Sequence, residues 1–108
     1  MSMDTKEKRK IVVNNDTFIY VLDESVDVHF ERKEFAQLRC YGTNKSSYLE
    51  ILFHWESMYY NLHRPKAVSL FIKYAIENGW NYKEDKQIYR ISAEDSKNII
   101  KELGIELL

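Results

Sequence analysis

The residues best suited to chemistry are few and widely spaced. His29, His54, His63 and the lone Cys40 are the side chains that would ligate a metal or pair as base and nucleophile. None of the short paired spacings that build zinc sites occurs among them. The alternation of the flanking sequence puts Cys40 on an inward face, and His29 and His54 on an outward one beside Glu31 and Glu50, so thiol and imidazole do not meet. That arrangement describes an inert buried thiol and solvated histidines. A phosphate-cradling loop needs clustered glycines, whereas Gly42, Gly79 and Gly104 stand far apart. Acid and base catalysis by carboxylates needs one of them in an apolar setting, and no acidic residue falls at an inward position. The expectation is no enzyme, no cofactor and no metal.

What the chain has in excess is aromatic surface. It holds eight tyrosines and two tryptophans, and Tyr and Trp, together with Arg and Met, concentrate where proteins bind one another. Met58, Tyr59, Tyr60, Leu62, His63 and Arg64 fall between a long strand and a helix, where a loop would present several of them together. Tyr59, Tyr60, His63 and Arg64 are therefore contact candidates. The competing reading is that these rings plug the end of the sheet beneath the helix, since large aromatics dominate cores as well as interfaces.

A second candidate surface is the outward sheet face, with Tyr41 and Tyr48 near Arg39, His29, His54 and Leu52. Its bland counterpart is a solvated face. Rings interleaved with a basic residue also suit the stacked bases of single-stranded nucleic acid, but Asp27, Glu31 and Glu50 would repel phosphates.

The elements that would hold these residues follow from period and punctuation. Ile11 to Val13 and Thr17 to Leu22 flank Asn14, Asn15 and Asp16, which favour a tight turn, and so form a first hairpin. Val26, Val28 and Phe30 alternate with Asp27, His29 and Glu31 as a strand does. Ala36, Leu38 and Cys40 alternate likewise, as do Leu49, Ile51, Phe53 and Trp55, with 42–47 as the loop between. Closing that hairpin with Tyr41 opposite Tyr48 sets Arg39 against Glu50, Cys40 against Leu49 and Leu38 against Ile51, satisfying charge and burial together. Closing the preceding pair with Phe30 opposite Ala36 would extend the charged row to Asp27, Arg39 and Glu50.

From Pro65 the period becomes helical through Val68, Phe71, Ile72, Ala75 and Ile76, and Gly79 suits the cap. Only Lys66, Ser69, Lys73 and Glu77 form a polar stripe, so this helix packs on more than one face. Ile88 to Ile91 reads as a short strand, and Ser92 with Asp95 opens a last helix that Gly104 ends. The fold class expected is α+β: an antiparallel meander of four to five strands, covered on one face by a long helix and a shorter C-terminal one. Residues 1–10 read as a disordered arm and 11–108 as one domain.

The stretch Pro65, Val68, Phe71, Ile72 and Ala75, then Gly79 and Trp80 and the strand Ile88 to Ile91, resembles a module of small uncharacterised bacterial proteins. In that module a helix ends in Gly-Trp ahead of a strand and a further helix. A proline often follows two residues after the tryptophan there, where this chain has Tyr82. The resemblance implies a bacterial or phage origin and carries over no functional residue.

Composition narrows the class. With 44% hydrophobic and 31% charged residues the 108-residue chain is globular in type. Its formal net charge of −1 creates no global attraction to nucleic acid or anionic membranes. No run approaches the roughly 18 apolar residues of a membrane span, the polar start is unlike a signal peptide, and one unpaired cysteine suits the cytosol. The sequence reads as a cytoplasmic protein-binding module, immunity-like or regulatory, without cofactor and with another protein as partner. The alternatives left open are a small-molecule binder or enzyme with a pocket near Trp55, Tyr60, His63 and Trp80, a single-stranded nucleic-acid binder, and a homodimer through the wide apolar arc of the long helix.

Overall fold

A computed structural model describes residues 8–23, 34–54 and 64–105. Its elements run β1 (Arg9–Val13), β2 (Asp16–Asp23), β3 (Glu34–Tyr41), β4 (Tyr48–His54), α1 (Pro65–Glu77), β5 (Ile88–Ile91) and α2 (Ala93–Leu103). The five strands form one mostly antiparallel sheet in the order β1-β2-β3-β4-β5. No helix among the described residues is long and apolar enough to cross a membrane.

The first hairpin turns at Asn14 and Asn15, whose φ angles of 53° and 69° give the twist that matches paired strands. Its ladder starts at Arg9 opposite Tyr20, two residues ahead of the expected start near Ile11. Backbone pairing carries β1 beyond the point where apolar side chains give out. Between β3 and β4 the register is the expected one: Tyr41 opposite Tyr48, Arg39 opposite Glu50, Cys40 opposite Leu49 and Leu38 opposite Ile51.

Two expectations require correction. The neighbour of β3 away from β4 is β2, which sets Val21, and not Asp27, opposite Arg39. Both segments alternate, and β2 takes the edge that 26–30 would have needed; residues 24–33 lie outside those described. The last strand also runs parallel to β4, pairing Tyr48 with Ile88 and Ile51 with Ile91, so the sheet is not wholly antiparallel. The chain enters β5 after the connection through α1, the kind of crossover that parallel neighbours require.

One set of alternating positions is buried: Phe18 and Tyr20 on β2, Ala36, Leu38 and Cys40 on β3, Leu49, Ile51 and Phe53 on β4, and Ile91 on β5. Against it α1 sets Val68, Phe71, Ile72 and Ala75, with the Phe71 ring edge-on to Phe53 at 5.6 Å. Ile99 and Ile100 of α2 close the same core. Burying Phe71 alone contributes about 2 kcal/mol by area.

Caps fix the helix ends. Pro65 opens α1, and the Trp80 amide closes it by donating back to Ala75 at 2.9 Å. Ser92 accepts the Asp95 amide at 3.1 Å to start α2, and Gly104, with φ 71°, takes the left-handed conformation that ends it.

The connector between α1 and β5 is more than a link. Trp80 and Tyr82 fold back onto Phe18, with ring centroids 6.0 and 5.0 Å from it, and the Tyr82 hydroxyl donates to Asp16. Expected as a plain connector, the segment instead completes the core at the first hairpin. Trp80 also uses its indole N–H, donating to the Gln87 carbonyl at 3.0 Å.

Candidate functional site

The other face of the sheet carries the surface residues. Cross-strand pairing puts Lys10, Ile19, Tyr41, Tyr48 and Ile88 in one row spanning all five strands. The next row holds Val21, Arg39, Glu50 and Arg90, and a third holds Asp23, Gln37 and Leu52. Side chains two residues apart on a strand share a face, which is why the rows stack as a single surface.

At its centre Tyr41 and Tyr48 meet with centroids 5.5 Å apart and planes tilted by 51°. The Arg39 guanidinium lies over the Tyr48 ring at 4.9 Å, a cation–π contact. It is held there by Glu50, whose Oε2 accepts from Nη2 at 3.0 Å and from Nε at 3.2 Å. Arg90 donates its Nε to the other oxygen, Oε1, at 3.1 Å. A single carboxylate thus fixes two guanidinium groups and, through one of them, a ring.

Beside this centre lies an open concavity of about 420 Å³. Ile19, Val21, Gln37 and Tyr41 supply its neutral lining, and Lys8, Arg39, Lys45 and Asp23 its charged one. The loop carrying Lys45 is anchored on both sides. Asn44 donates to the Asp85 carboxylate at 2.6 Å, Ser46 Oγ accepts the Lys86 amide at 3.0 Å, and the buried Ser47 Oγ accepts the Gln87 amide at 2.8 Å while donating to the Glu84 carbonyl.

Of the expected contact residues, Tyr41 and Tyr48 are brought together on this face. Arg64 is exposed at the N-cap of α1 and is no member of the paired rows. Tyr59, Tyr60 and His63 lie outside the described residues, as do His29 and the side chain of His54. Of the pocket expected near Trp55, Tyr60, His63 and Trp80, only Trp80 falls among the described residues, packed in the core at 3% exposure. Cys40 is fully buried, and burial pushes its thiol well above the usual range, so it stays protonated and inert. Among the described residues no three His, Cys, Asp or Glu side chains converge as a metal site would require.

Sequence reasoning missed Lys8, Lys45, Ile19, Val21 and Arg90 as members of this surface. The alternation of β2 marks Ile19 and Val21 as sharing a face. Nothing local announces that β5 brings Arg90 to Glu50.

Compared with known protein families, curated proteins and solved structures, the chain matches none.

Proposed function

We propose that this chain is a protein-binding module that engages its partner through the outward sheet face around Tyr41, Tyr48 and Arg39. The observation carrying this reading is the arrangement of those three side chains. They are of the types that dominate binding hot spots, and Glu50 and the ring pairing hold them in place, so little side-chain freedom is left to lose on association. The adjoining concavity is open and lined partly by half-buried aliphatics, which suits protruding side chains of a partner more than an enclosed metabolite.

The same proposal places both helices over the inward face, on the packing of Phe71 against Phe53, which leaves the tyrosine row uncovered by them. It also assigns the protein to the cytosol, on its single buried thiol, and to a bacterial or phage source, on the resemblance of the α1-to-α2 segment.

The test is site-specific cross-linking. A photoreactive benzoylphenylalanine at position 41 or 48 is expected to capture a protein from source lysate that the same probe at Lys73, on the exposed stripe of α1, does not capture. Equal capture from both positions overturns the assignment of the surface.

A further inference from the structure

The chemistry of the partner can be read from how charge is distributed. The chain carries 16 basic and 17 acidic residues, so it has no cations to spare as a whole. Among the described residues the concavity nevertheless collects Lys8, Arg39 and Lys45 against one carboxylate, Asp23, and Lys10 stands in the adjoining row. Glu50 does not redress this, because Arg39 takes one of its oxygens and Arg90 the other, leaving two positive charges on one negative. Between the cations lie the half-buried Ile19 and Val21.

Resting on the protein-binding reading above, we propose that the partner docks here through an extended acidic segment whose sheet-facing positions, every second residue, alternate carboxylates with apolar side chains. Side chains two residues apart on such a segment share a face, so both kinds are turned to the sheet surface beneath. Carboxylates meet Lys8, Lys45 and Arg39, while the apolar side chains cover Ile19 and Val21 and remove them from water.

The geometry disfavours the other occupants. Stacked bases need open ring faces in a common direction, but Tyr41 and Tyr48 are tilted by 51°, Arg39 already covers one face of Tyr48, and the floor is aliphatic. A second copy in a two-fold contact through this groove would bring Lys8 and Lys45 against like charges.

The experiment uses the full chain and a fluorescein-labelled synthetic peptide with Glu alternating with Leu and Phe at every second position and Ser between, beside a twin with Gln replacing every Glu. Fluorescence anisotropy is expected to show the Glu peptide binding at least about ten-fold tighter than its twin, with an affinity that falls as salt is added. The Lys8→Glu, Lys45→Glu double variant changes exposed positions only; it is expected to keep the thermal midpoint and lose about ten-fold or more of the Glu-peptide affinity. Amide NMR shifts should concentrate on Ile19, Val21 and Arg39. Equal binding of the twin, an unaffected double variant, shifts mapping to another face, tighter binding of an oligothymidine strand, or self-association at the same concentrations each overturns the acidic-segment proposal. Failure of the Glu peptide to bind does so too, and leaves the protein-binding reading to stand or fall on the cross-linking result.

Discussion

Arg39 and Glu50 face each other across β3 and β4, and two nitrogens of the guanidinium converge on one carboxylate oxygen while Arg90 on β5 takes the other. One side chain therefore ties three strands together on a face open to water. Its Arg partners are 39% and 67% exposed, so solvent screens both pairs and neither makes a large contribution by itself.

Glu50→Gln is expected to lower stability by about 1 kcal/mol in urea unfolding, because it weakens two exposed pairs at once. The same change leaves Arg39 and Arg90 uncompensated, so the acidic peptide should bind more tightly than it does to wild type. Loss of peptide affinity in this variant would contradict the cationic character assigned to the groove.

A second expectation concerns alkaline pH. The Tyr82 phenol is pushed up from 10.0 to about 12, chiefly by donating to the Asp16 carboxylate and secondarily by burial. A group whose folded pKa is raised stabilises the fold fully below its unfolded pKa and loses that contribution as pH rises through the folded one. Unfolding free energy should thus decline between about pH 10 and 12. Tyr82→Phe should flatten that decline, and a slope unchanged by the substitution would remove the assignment.

Gly42 is needed for space. A β-carbon there would stand 3.0 Å from Cδ2 of Tyr82 and 3.4 Å from Cε2 of Phe18, rings already interlocked with Trp80. Gly42→Ala is expected to cost about 1 to 3 kcal/mol, measured by thermal unfolding, since both rings are buried and packed on each other and must shift to admit it.

Phe71 and Tyr48 offer a contrast between core and surface. Phe71→Ala should cost about 3 to 5 kcal/mol, because the ring is fully buried against Phe53. Tyr48→Ala should cost about 1 kcal/mol, the scale of its pairing with Tyr41, while abolishing capture of the partner. Equal stability losses would mean that the tyrosine row is structural.

The β3–β4 register was legible because alternation and charge agree there: only one alignment buries Cys40 and Leu49 while setting Arg39 against Glu50. The caps at Pro65, Ser92 and Gly104 were legible because each is a local event. The neighbour of Arg39 was not, since alternation in 26–30 and in β2 shows how a strand is buried and not which edge it joins. The direction of β5 was equally hidden, as four residues carry no sign of parallel or antiparallel pairing. Tyr82, an isolated ring in a polar connector, belongs to no period at all. Of the candidate surface, the tyrosines and Arg39 could be named from sequence, whereas its cationic rim could not, because Lys8, Lys45 and Arg90 come from three different parts of the chain.

The bond from Tyr82 to Asp16 joins positions 66 residues apart, and Trp80 and Tyr82 complete the packing around the Phe18 ring. During synthesis, then, the packing around the first hairpin is completed only after most of the polypeptide has left the ribosome. Closing so long a loop comes late and slowly compared with local hairpin formation, so the first hairpin can pair before the core around it is complete.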